Sequence, residues 1–385
     1  MIAVAEIYHA RLGASGASGW LGCSAWRGGG GASIYSATGS VIHEVAANCL
    51  SHGKNPDTAV GTEYSSGGFT LRLTQAHADI AHAYIDYCRD LHGTLGGEQL
   101  VEVGLPIAHI TGEPDAVSTI DFGIIPGPGQ TEAIVVDLKT GAGVPVLATD
   151  SPQLIMYALA MLDAYSLLAD IQTVRMVIVQ PPLNSISECV ITALELEQWR
   201  IRFALAAALA MQPSPLATPG TKQCRWCTKK AVCTALSAEM FDDLDAINPA
   251  KVTVDELGYA MTKVELMEGW CKAVRTETEN RLTGGREVTG WKLVQGKRGN
   301  RAWSEASQVE SMLKSMRLKV QQMYDLSLIS PTTAERLAKT ELIGPRQWTK
   351  LKGLISQREG QPTVVPQADK REALTMPSAF ADLDA

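Results

Sequence analysis

Between residues 99 and 180 the hydrophobic pattern switches from strand to helix and back, and few folds accept that order. Leu100-Val101-Glu102-Val103-Gly104-Leu105 alternates with the two-residue period of a strand. Residues 116–122 and 132–138 read as two further strands, with Pro126-Gly127-Pro128-Gly129 as the turn between them. A helix is expected over about 152–168. Thr173 to Gln180 is then a nearly continuous apolar run of the kind buried on both faces, stopped by Pro181-Pro182. A three-stranded meander, a helix and another strand make an α/β (α+β) core, a central mixed β-sheet flanked by helices. Further helices are expected over 38–51, 70–91 and 194–211.

The chain has 385 residues, enough for two domains. Its apolar share of 45% and charged share of 19% suit a globular protein. No uninterrupted apolar run reaches the roughly 18–20 residues that span a bilayer, so no membrane role is expected. The N-terminus lacks a basic stretch followed by a sustained apolar one, so the expected location is cytoplasmic. Eight cysteines there point to thiols or metal ligands rather than disulfides. The net charge is −7, but residues 291–385 carry 15 Lys/Arg against 10 Asp/Glu. Two domains are expected: 1–245, and a smaller, mainly helical, basic accessory domain over 246–385 with a poorly ordered tail from about 360. The latter should hold a long helix over 254–282, a short strand over 291–294 and small helices through 305–356. Trp291, Lys292, Lys297, Arg298, Arg301 and Trp303, and again Arg346, Trp348, Lys350 and Lys352, interleave cations with aromatics as a nucleic-acid contact would. The run Gly28–Gly31 lacks the Gly-Lys-Ser/Thr ending of a phosphate loop and reads as a flexible loop.

The chemistry centres on Val135-Val136-Asp137-Leu138-Lys139. Side chains two apart on a strand share a face, so Asp137 and Lys139 point the same way. Gln153 and Tyr157 lie four apart on the following helix and share a face too. If strands 116–122 and 132–138 form a hairpin, Asp115 falls at the same end as Asp137, and two carboxylates could share Mg²⁺ or Mn²⁺. His43, in mid-helix, could add an imidazole and shift preference toward Mn²⁺. Lys139 could orient the attacking water or stabilise a charged transition state, and Gln153 and Tyr157 could position Lys139 or a DNA backbone.

This ordered set (His43, Gly112-x-x-Asp115, Asp137-x-Lys139, Gln153-x-x-x-Tyr157) resembles the PD-(D/E)xK nuclease superfamily, in its RecB-type branch with the lambda-exonuclease-like phage enzymes. More narrowly, residues 9–245 are similar to a phage and prophage family catalogued as a domain of unknown function. The stretches that carry this likeness include Trp20-Leu-Gly-Cys23, residues 136–145 and Val179-Gln-Pro-Pro182. The resemblance implies a restriction-endonuclease-like core with Asp115 and Asp137 as metal ligands, His43 as a third, Lys139 catalytic, and Gln153 and Tyr157 as the branch-specific helix motif. Glu113 departs from the usual small residue and is either an extra ligand or a bystander.

Cys224-Arg-Trp-Cys227 and Cys233 form a C-x₂-C-x₅-C cluster. Zinc or a [4Fe–4S] cluster would want a fourth ligand, for which Cys271 and Cys23 are the choices. One early cysteine, nuclease motifs and a late cysteine cluster resemble the iron–sulfur nucleases, among them AddB and the CRISPR-associated four-cysteine exonucleases. That resemblance implies a [4Fe–4S] cluster on Cys23, Cys224, Cys227 and Cys233, with structural zinc on the same thiols as the alternative. Closing a loop of roughly 200 residues would lower the entropy of the unfolded chain. Arg225, Trp226, Lys229 and Lys230 around it are either DNA contacts or a solvated rim.

The function expected is a metal-dependent DNA nuclease, an exonuclease resecting double-stranded ends for a phage single-strand annealing recombinase in a bacterial host cell, with homo-oligomers possible. The alternative is a non-catalytic DNA-binding or assembly protein on a nuclease fold.

Overall fold

The computed structural model describes residues 2–3, 10–29, 32–245, 253–292, 294, 306–316, 330–340 and 342–355. The tail from 360, Lys297, Arg298, Arg301 and Trp303 lie outside the described residues. The chain divides into two compact units, residues 1–294 and 295–385, so the first unit extends beyond the expected boundary at 245/246.

The first unit holds a five-stranded mixed sheet in chain order: β4 (Glu98–Pro106), β5 (Val117–Ile125), β6 (Glu132–Leu138), β7 (Thr173–Gln180) and β8 (Ser185–Thr192). All neighbours are antiparallel except β6 and β7, which run parallel and are joined by α5 (Pro152–Tyr165). The mixed α/β class expected from the pattern of periods is the one found, and β6 and β7 keep the bounds read from the sequence. A smaller sheet pairs β1 (Ile2–Ala3), β2 (Glu63–Ser66) and β3 (Phe69–Arg72).

Alternation along β6 builds two cores. Ala133 and Val135 face one cluster with residues of α5 and α6 (Ala193–Ala210); Ile134, Val136 and Leu138 face the other with residues of α2 (Ile34–His52) and α3 (Gln75–Leu95). Sheet residues buried on both faces explain the near-continuous apolar run of β7. The helix expected over 70–91 is found as α3, starting at Gln75; residues 70–72 belong to β3, in a hairpin turned at Gly67 and Gly68, both at positive φ, and Thr74 caps the helix start through His77 N–H. Among the described residues of 291–294 there is no strand; Trp291 makes a single bridge to Val288.

The end of the first unit is helical. α7 (Thr221–Arg225), α8 (Thr234–Asp245) and α9 (Val254–Thr283) share a small core of Cys224, Leu236, Met240 and Leu266, which is why the long helix belongs here. The second unit shows helices Ala306–Ser315, Pro331–Lys339 and Pro345–Lys352. Among the described residues no helix is long and apolar enough to cross a membrane.

Candidate metal centre and cysteine cavity

The β5–β6 ladder ends at Phe122 opposite Val136. One step further on that register stands Asp121 opposite Asp137. On β4, Glu102 lies between Val101 and Val103, whose partners are Phe122 and Ile120, so Glu102 also faces Asp121. Three carboxylates therefore form a row across three adjacent strands at the point where β5 and β6 part. Asp121 fills the parting: its Oδ2 accepts the Leu138 N–H at 2.8 Å. Glu102 has φ of 48°, a left-handed backbone that a non-glycine residue adopts only at a cost of about 1–3 kcal/mol.

Because the strands separate there, groups from both helical layers reach the row. His43 arrives on α2, with Nδ1 3.4 Å from Asp121 and 3.9 Å from Glu102. A Cβ on Gly39, one turn earlier, would stand 3.0 Å from Thr140 Oγ1, so the glycine lets α2 lie close to the segment after Lys139. From the other layer comes Gln153, in the first turn of α5, which Ser151 caps and Pro152 opens. Its amide joins the set: Oε1 accepts from Lys139 Nζ at 3.0 Å, while Nε2 donates to Asp137 Oδ1 at 2.9 Å and Tyr157 OH at 3.0 Å. Lys139 Nζ lies 2.7 Å from Asp137 Oδ2 as an ion pair. Apart from that ammonium, no group donates to the buried Oδ2.

The electrostatics follow from burial and crowding. Burial, then the charge of Asp121, pushes Glu102 up to about 7. Burial opposes the charged form of His43, but Asp121, with smaller help from Asp137 and Glu102, pushes it up to about 9. Burial also works against ionised Asp121, yet His43 and the Leu138 N–H hold it below the usual carboxylate range. Asp137 goes the other way, because burial outweighs the pull of Lys139. Burial disfavours the Lys139 ammonium, but Asp137 outweighs it and raises the pKa. Burial keeps Tyr157 a neutral phenol.

His43, Glu102 and Asp121 each offer a ligand atom, all within 4.8 Å of one another, and can bind a metal ion. Asp115 is not among them. It is exposed, precedes β5 and stands at φ 56°. The observed register puts Asp121, six residues later and roughly 20 Å along a strand, opposite Asp137 instead. An acidic residue inside the apolar run Ile120-Asp121-Phe122 was the available signal, the same signal that marked Asp137. Glu113 is a structural group: its carboxylate accepts the backbone N–H of Arg11 and Leu12, each at 2.8 Å. Gln180, at the end of β7, stood out in the sequence only within Val179-Gln-Pro-Pro182, with no role assigned. Its buried amide donates to Gly141 O and Val144 O and accepts from Val146 N, tying the loop after Lys139 to the sheet.

The second cluster is at the other motif. Cys23, Cys224, Cys227 and Cys233 line one cavity of about 400 Å³, although Cys23 is some 200 residues from the rest in sequence. All four are free thiols. Backbone bonds join the two segments: Ala25 N to Leu216 O at 3.2 Å and Thr228 N to Arg27 O at 2.9 Å. Cys23 Sγ accepts the Thr218 N–H at 3.3 Å and Cys224 Sγ the Gly220 N–H at 3.4 Å. No three of the sulfurs lie within 4.8 Å of one another. Cys271 is exposed on α9 and does not line the cavity.

A family model described as "Protein of unknown function (DUF2800)" matches residues 9–372, and the chain belongs to that family. Among solved structures, one titled "Crystal structure of SSO0001" is 19% identical, covering 42% of this chain and 72% of that one with a TM-score of 0.24.

Proposed function

We propose that this DUF2800 family member is a divalent-metal-dependent deoxyribonuclease of the PD-(D/E)xK type. The observation that carries the reading is the row Glu102–Asp121–Asp137 with His43 above it and Lys139 two residues beyond. A carboxylate-rich set with one imidazole suits Mg²⁺ or Mn²⁺, with the imidazole favouring Mn²⁺. His43, Glu102 and Asp121 would hold the ion, with the adjacent Asp137 carboxylate, held by Lys139 and Gln153, as a further ligand. A bound ion supplies Lewis-acid polarisation of a phosphate and a more acidic water. Lys139 keeps its charge through Asp137 and its aim through Gln153, so it can neutralise charge growing on phosphate oxygens. The neutral Tyr157 phenol fixes the other side of Gln153.

By family resemblance the enzyme is an exonuclease that resects double-stranded DNA ends, supplying single strands to a phage annealing recombinase. Its four cavity cysteines hold a [4Fe–4S] cluster. Support comes from four free thiols lining one cavity, with three of them in a C-x₂-C-x₅-C run. Two N–H groups on sulfur are of the kind that tune cluster thiolates.

The test uses anaerobically prepared protein, Mn²⁺, and end-labelled linear and circular duplexes. Wild type should degrade the linear DNA from its ends, while Lys139→Ala and Asp121→Ala should not. Equal cleavage by all three proteins overturns the reading. A gel shift without cleavage under any divalent metal leaves a DNA-binding protein on this fold. Iron and labile sulfide in the purified protein support the cluster; zinc alone replaces it.

A further inference from the structure

The acidic residues of this chain avoid two stretches. Residues 7–43 and 198–238 make up about a fifth of the sequence and contain none of its 41 Asp/Glu, yet they carry eight of its 34 Lys/Arg. Outside them 41 Asp/Glu face 26 Lys/Arg, although residues 291–385 are themselves basic. The backbone bonds between 25 and 216 and between 27 and 228 bring these two acid-free stretches together at the cysteine cavity. Arg27, Lys229 and Lys230 line that cavity, and Lys222 and Arg225 are exposed on the helix that carries Cys224. None of these five cations forms an ion pair with a carboxylate among the described residues; Arg27 and Lys230 instead donate to backbone carbonyls of Trp26 and Arg225. Cations without carboxylate partners, gathered on a chain of net −7, make a local positive patch that attracts anions.

An aromatic lies among them. Trp226 is 75% exposed, with the Arg225 guanidinium 5.6 Å from its ring centroid. An exposed tryptophan flanked by unpaired cations combines a stacking platform with phosphate contacts. Base stacking needs an unpaired base, which favours a single strand over a duplex whose bases are already stacked.

We propose that the rim of the cysteine cavity is a single-stranded DNA-binding surface, on which Trp226 stacks a base and Arg27, Arg225, Lys229 and Lys230 contact the backbone. This surface lies on different elements from the carboxylate row and binds without a divalent ion. It deepens the nuclease reading by giving the enzyme a grip on a frayed or product strand, but its binding does not depend on cleavage.

The experiment uses the full chain, prepared anaerobically and held in EDTA so that no cleavage occurs. Fluorescence anisotropy follows a labelled oligo-dT strand and a blunt duplex of equal length across a salt series. The single strand should bind more tightly than the duplex. Trp226→Ala should weaken single-strand binding about tenfold. Lys229→Gln with Lys230→Gln should flatten the slope of log K against log salt by about 1.4. Lys54→Gln, an exposed lysine outside both clusters, should bind as wild type does. Unchanged melting temperatures establish that the variants are folded. Wild-type affinity and salt slope in both rim variants would overturn the proposal, as would a duplex bound more tightly than the single strand. If no DNA is ever cleaved but Trp226→Ala still loses the strand, the nuclease reading fails and this surface stands.

Discussion

The two clusters differ in what holds them together. The carboxylate row is set by the register of three adjacent strands and braced by an amide, an ammonium and an imidazole that already contact it. The cysteine cavity is set by short helices and loops from two distant parts of the chain, joined by a few backbone bonds. A sheet holds its site without any ligand; loops with a small core of Cys224, Leu236, Met240 and Leu266 do not have that reserve. The first site should therefore lose chemistry but not fold when altered, and the second should lose fold before chemistry.

The largest expected effect is at the row. Asp137→Ala or Lys139→Ala should reduce cleavage on the order of 10³-fold while leaving the circular dichroism spectrum unchanged. Asp115→Ala, six residues off register, should cleave like wild type. A dead Asp115→Ala enzyme would break the structural assignment of Asp121.

At the cavity, Cys224→Ser should cost about 3–5 kcal/mol of stability if the proposed cluster closes the long loop, read as a lower denaturant midpoint. Cys271→Ser should be near neutral. Equal midpoints for both would erase the contrast between the clusters.

The next effect is pH dependence at the row. Metal binding needs Glu102 ionised and His43 neutral, and these groups titrate near 7 and near 9 without metal. Mn²⁺ affinity should rise from pH 6 to 9 with proton release, measurable by calorimetry in buffers of different ionisation enthalpy. Metal-free stability should move the opposite way. Both pKa values are raised on folding, so the folded protein binds more protons and these groups stabilise it less as pH rises, from the ordinary glutamate range through about 9. A flat affinity profile would mean that other atoms hold the ion.

The smallest effect belongs to Glu113. Glu113→Gln keeps one of the bonds from Arg11 and Leu12 and sets an NH₂ against the other N–H, and should lower stability by about 1–3 kcal/mol with cleavage intact. A thermal melt beside a cleavage assay reads both.

Much of this was legible in the sequence where the signal was local. β6 and β7 are long apolar runs between breakers, and their bounds could be read directly. Asp137, Lys139, Gln153 and Tyr157 meet because a strand period and a helix period both repeat within a few residues. β8 went unrecognised because its apolar residues fall on both faces of an edge strand, with Ile186 and Val190 exposed and Ile191 buried, so no clean alternation shows. The hairpin before α3 was absorbed into the helix because its turn and cap are as small as the elements they separate.

The sequence by itself determined the layered α/β class, the Asp-x-Lys strand, the glutamine–tyrosine helix and which cysteines could gather. Only the tertiary structure decided that Asp121 and Glu102, rather than Asp115, complete the row, and that the acid-free stretches meet around the cysteines. The reason is physical: which residues stand opposite one another depends on how whole strands slide to bury Phe122, Ile124, Ile134 and Val136. No local pattern around an aspartate encodes that slide.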